Sequence, residues 1–145
     1  GWKSDLTQIM ATSHGVTEQV IDIIAQAIAE DGIEQHAVRW FKGKIYVYAP
    51  DLASAWYLIQ GQEIDRPPSK RARLEALRTL SQGETKQIRR QEGSKTTPRM
   101  YWVIDPRIIA YHAERRNIAP ADVILAACQR AEPRKTKENP KNILT

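Results

Sequence analysis

Apolar positions along this chain recur first with a helical period, then with a strand period, and then repeat that order. Ser4 can cap a short helix to Met10, with Leu6, Ile9 and Met10 on one edge, and Ser13-His14-Gly15 breaks it. A second helix is predicted from Thr17 to about Glu30. Val20, Ile24, Ala27 and Ile28 form its stripe, Ile21 and Ala25 widen it, and Glu18 in the first turn suits the helix dipole. Gly32 is the expected stop. Ala37–Phe41 and Lys44–Tyr48 are β-branched and aromatic runs joined by Lys42-Gly43, the pattern of a β-hairpin. Pro50 closes the second strand, and Asp51 can open a helix to about Gln60.

The second half follows a similar order. Asp65-Arg66-Pro67-Pro68 is an extended boundary. Ser69 then opens a basic helix, Lys70 to about Leu80, with Leu74, Leu77 and Leu80 on one side. Lys86–Arg90 is read as a strand, Gln91–Pro98 as a flexible polar loop, and Met100–Ile104 as a strong aromatic strand. Helices are expected from Asp105-Pro106 to about Arg116 and from Pro120 to near Ala131, followed by a polar tail. The segment Ile45–Pro50 echoes Tyr101–Pro106: in each a strand runs into a proline and then an apolar helix.

These elements predict an α+β fold of helices with short antiparallel hairpins, winged-helix-like, with an arrangement as two small similar units left open. The expected organisation is a helix–helix–hairpin–helix unit at 1–64. A basic helix, strand pair and two helices at 65–131 pack with it, and 132–145 form a flexible basic tail.

Charge changes the picture more than composition does. The net charge of +5 is unevenly spread: residues 1–64 hold 4 Lys and Arg against 8 Asp and Glu, whereas residues 65–100 hold 10 against 4. Such asymmetry points to a polyanionic partner, against the plainer reading of solvated helix faces. No apolar run is long enough to span a membrane, so no membrane partner is expected. The single cysteine, Cys128, excludes an internal disulfide and fits the reducing cytoplasm. Gly1 in place of an initiator Met suggests a segment of a longer protein.

Candidate chemistry is sparse. His14, His36 and His112 are scattered, and one cysteine cannot build a zinc site, so neither metal nor cofactor is expected. No phosphate-cradling glycine loop and no nucleophile elbow occurs, and Cys128 beside Ala126 and Ala127 reads as a small buried hydrophobe. The segment itself is therefore expected to be non-catalytic.

What remains is a binding surface. Phosphates reward Lys and Arg through counterion release. The candidate contacts are Arg39, Lys42 and Lys44 at the first hairpin, Lys70, Arg71 and Arg73 on the basic helix, and Lys86, Arg89, Arg90, Lys95 and Arg99 beyond it. Tyr46, Tyr48 and Tyr101 are available to stack on unpaired bases, while strand alternation turns Trp40 and Trp102 toward a core.

The run Gly32-Ile33 through Ala37–Leu52, with its strand, glycine turn, strand ending in a small residue plus Pro, and new helix, resembles one family. That family is the C-terminal, winged-helix-like domain of conjugative relaxases, the nickase/helicase proteins of plasmids and mobile elements. Arg89-Arg90-Gln91-Glu92-Gly93 followed by Met100-Tyr101-Trp102-Val103 is similar to its basic loop and aromatic strand. The likeness covers residues 16–104 as a pattern with few identities; Ile-Tyr-Val-Tyr stands where the family has a Leu-rich strand. It implies a DNA-binding accessory domain in conjugation, plasmid or phage DNA replication, with nicking carried out elsewhere. Expected partners are single- or double-stranded DNA and other domains of the parent protein. The alternative is a protein–protein docking module of the same parent without DNA contact.

Overall fold

A computed structural model describes residues 15–30, 37–55 and 68–132. The helix expected at 4–10, the later part of the one expected from Asp51, and the tail from 133 lie outside the described residues. The elements run α1 (Gly15–Glu30), β1 (Val38–Phe41), β2 (Lys44–Val47), a 3-10 turn (Ala49–Asp51) continuing helically over 52–55, α2 (Lys70–Ser81), β3 (Thr85–Glu92), β4 (Lys95–Ile104), α3 (Pro106–Arg115) and α4 (Ala121–Cys128). The fold is α+β, helices with an antiparallel sheet ordered β1-β2-β4-β3.

Helix α1 is the centre of the core. Val20, Ile21, Ile23, Ile24, Ala25, Ala27 and Ile28 are all buried, a stripe too wide for a helix covered on one side only. It packs against α2, α3, α4 and β1. The sheet contributes Val38, Trp40, Ile45, Val47 and Ile104 from the face toward those helices. Strand alternation sends Phe41, Tyr46, Tyr101 and Val103 to the opposite face, where they form a second buried cluster.

The first hairpin closes through Lys42 (φ 51°) and Gly43 (φ 74°). Two successive positive φ angles define the two-residue turn whose twist matches paired strands. Ser69 caps α2 by accepting from the Ala72 N–H at 3.2 Å, and Gln82 (φ 56°) and Gly83 (φ 81°) terminate it.

One expectation is overturned. Gln91–Pro98 is not a loop: β3 and β4 run on in register to Glu92↔Lys95 and close through Gly93-Ser94. Gly93 (φ 64°) supplies the backbone angle that such a glycine-first turn needs. Pro98 is tolerated because antiparallel pairing alternates. Counted from the turn, its position faces away from β3, and β2 pairs only with Trp102–Ile104, so no partner misses its N–H.

The strand–proline echo has a spatial counterpart. Its two members are the inner strands of the sheet, paired antiparallel as Ile45↔Ile104, Tyr46↔Val103 and Val47↔Trp102. The order helix–strand–strand thus occurs twice, α1-β1-β2 and α2-β3-β4, and both halves supply one sheet.

Candidate nucleic-acid interface

Helix α2 buries Ala76, Leu77 and Leu80, which turns its cations outward. Lys70 and Arg71 are exposed in its first turn, and Arg73 is half-buried and donates to the Pro68 carbonyl. Beside this end of the helix lies a groove of about 540 Å³. Its lining is Pro98, Arg99, Met100 and Trp102 from β4, Leu74, Lys70 and Arg73 from α2, and Tyr48-Ala49-Pro50 beyond the end of β2. Met100 is 53% exposed. Arg89 is exposed and stands directly across from Pro98 on the same sheet face.

Alternation divides the hairpin's cations. Lys86, Arg90, Lys95 and Arg99 share the opposite face with Tyr101, and two of them are already engaged. Arg90 has a side chain only 16% exposed, held at 3.2 Å from Asp51 Oδ2 and 3.4 Å from Glu92 Oε2, with its guanidinium 5.0 Å from the centre of the Tyr48 ring. Arg99 grips Glu92 with two bonds of 2.7 and 2.8 Å. That bidentate contact holds the Glu92 carboxyl below its ordinary range. Arg90 and Arg99 are thus already paired with carboxylates, Arg90 partly buried and Arg99 in the lining of the groove. Lys86 and Lys95 are exposed. Arg71 lies 3.7 Å from Glu75, both well exposed, so its charge remains available to an incoming anion.

The first hairpin also departs from expectation. Its tip is a docking point for the end of α4: the Lys42 N–H donates to the Arg130 carbonyl and the Gly43 N–H to the Cys128 carbonyl, each at 2.7 Å. Arg130 donates from Nε to the Trp40 carbonyl at 2.7 Å and lies over the Trp40 ring. Lys42 Nζ sits 4.0 Å from Glu132, and Arg39 is half-buried over Phe41. Lys44, though exposed, is at the end of β2 away from the groove, which adjoins Tyr48. Arg39, Lys42 and Lys44 are therefore not gathered with the α2 cations.

The aromatic residues divide similarly. Tyr101 is 0% exposed and Tyr46 is 4% exposed, so neither has a ring face open to a base; both belong to the second cluster because alternation places them there. Tyr48 is half-buried, 5.4 Å from the Tyr101 ring, and borders the groove. Trp102 is half-buried there too. Sequence reasoning missed Leu74, Pro98 and Met100. The available signal was Met100 itself, which shares its sheet face with Trp102 but extends past the end of β2.

Among the described residues no group of three or more His, Cys, Asp or Glu could hold a metal ion, and no helix is long and apolar enough to cross a membrane. Cys128 is buried, and desolvation pushes its thiol up to about 11, so it stays protonated at neutral pH. Comparison with protein-family models, with curated proteins and with solved structures gave no match.

Proposed function

We propose that this chain is a nucleic-acid-binding accessory domain of a larger plasmid, mobile-element or phage DNA-processing protein. In the winged-helix-like reading, α2 faces the nucleic acid and the β3–β4 hairpin flanks it as the wing. The observation that carries the proposal is a division of charge. Lys70 and Arg73 line one groove and Arg89 stands across from Pro98, which also lines it; among the described residues none of the three has a carboxylate partner, while Arg90 is held by Asp51 and Arg99, also in the lining, by Glu92. Cations left without a carboxylate partner are those a polyanion can use most readily. Each phosphate they neutralise releases condensed counterions.

The test is fluorescence anisotropy with labelled single- and double-stranded oligonucleotides across a range of salt concentrations. Affinity should fall linearly on a log–log plot, by about 0.7–0.9 of slope for each phosphate engaged. Binding that salt leaves untouched, or none at micromolar protein, refutes the proposal. A protein-docking role would then take its place. Any chemistry on the nucleic acid would belong to other segments of the parent protein, which in the relaxase-like reading acts in conjugation.

A further inference from the structure

Resting on the nucleic-acid reading, we propose that the groove between α2 and β4 takes an unpaired strand, with a base against its floor, in preference to duplex. The floor and nearer walls are apolar, with Pro98, Met100 and Trp102 on one side and Leu74 and Pro50 on others. Met100 stands 53% exposed at this floor, paired across the strand with Gln87. Cations line it as well: Lys70 and Arg73 at the start of α2 and Arg99, bonded to Glu92, on β4, with Arg89 on the neighbouring strand across from Pro98. A concave apolar floor with positive borders matches a single strand, which can turn a base inward while its phosphates stay at the rim.

Duplex DNA meets the same surface poorly. Its bases are stacked and paired, so it presents phosphates and leaves the apolar floor uncovered. Apolar side chains that do enter duplex DNA act as wedges driven between base steps, and a wedge must protrude. Here the apolar residues line a recess of about 540 Å³. Purely electrostatic capture would need no such floor, so its exposure is what separates the two substrates.

The experiment compares the described protein and its Met100→Ala variant against three probes of equal phosphate count: an oligothymidine strand, an abasic strand and a blunt duplex. The wild-type protein should bind the oligothymidine tightest. Met100→Ala should weaken that complex about tenfold, toward the abasic and duplex values, with an unchanged salt slope. An unaltered melting temperature confirms that the exposed side chain was removed without loss of fold. Duplex bound as tightly as oligothymidine, or abasic strand bound equally well, overturns the single-strand inference and leaves the nucleic-acid reading standing. If no probe binds, both fall.

Discussion

Arg89 and Arg90 are adjacent in sequence but on opposite faces of β3, and substituting each by Gln tests the roles proposed for them. Arg89 is exposed across from Pro98, so on the proposed function Arg89→Gln removes one phosphate contact. The salt slope should flatten by about 0.7–0.9, meaning that a fourfold rise in salt costs the variant about threefold less affinity than it costs wild type. Its melting temperature should not change. Arg90→Gln removes the 3.2 Å bond to Asp51, the contact with Glu92 and the cation over Tyr48. A charged hydrogen bond contributes about 1.5–3 kcal/mol and a cation–π contact about 0.5–1 kcal/mol, and partial hydration of the freed Asp51 returns some of this. The net loss is about 2 kcal/mol. For a domain of this size that lowers the melting temperature by roughly 6 °C, with the salt slope kept. Circular dichroism melts and anisotropy read the two quantities independently. If Arg90→Gln flattens the slope and leaves the melt alone, the assignment of faces is wrong.

Two further expectations concern the core. Asp22, on α1, has Oδ1 2.7 Å from Arg116 Nε and accepts from Arg116 Nη2 at 2.9 Å; burial raises its carboxyl above the ordinary value despite that attraction. A carboxyl raised in the folded state favours folding below its unfolded value, and that contribution is lost as pH rises through the folded value. Arg116→Ala removes the opposing charge and raises it further, so chemical denaturation should show a loss of about 1–3 kcal/mol near pH 7 and a clearly smaller one near pH 4. Equal losses at both pH values would refute the account. Cys128, with its thiol at about 11 and its side chain enclosed, should resist a thiol reagent at neutral pH until denaturant is added. Rapid labelling of the folded protein would show that α4 does not pack as described.

How much of this was legible in the sequence depends on which signal each segment carries. Helix α1 and the first hairpin could be read because their burial is patterned: Val20, Ile24 and Ile28 at helical spacing, and Val38, Trp40, Ile45 and Val47 at strand spacing. Gln91–Pro98 could not, because a protruding hairpin needs no apolar alternation. Its strands are held by backbone pairing and by Gly93, and Thr96, Thr97 and Pro98 look like loop residues in isolation. The site failed in a different way. Composition counts Arg90 and Arg99 as cations equal to Arg89, but a positive side chain held in a partly buried carboxylate pair is less available than an exposed one. Asp51 is 39 residues from Arg90 in sequence, a contact that no local spacing announces. Tyr46 and Tyr101 were misplaced because alternation normally leaves one sheet face to solvent, whereas here they belong to a second buried cluster.

The first turn of α2 ties the energetic and functional readings together. A helix start favours negative charge, yet Lys70, Arg71 and Arg73 gather there and no acid occupies the turn. Each misplaced cation costs about 0.3–1 kcal/mol at low ionic strength, and the exposed Arg71–Glu75 pair offsets little of it. Stability alone would put these residues at the other end, where Arg78 already sits in a favourable last turn. Their position is easier to understand if the isolated domain is not the state that matters. An anionic strand at this end of α2 would meet the three cations, and its charge would favour the positive end of the dipole as well. The local conflict in the free protein would then become an attraction in the complex.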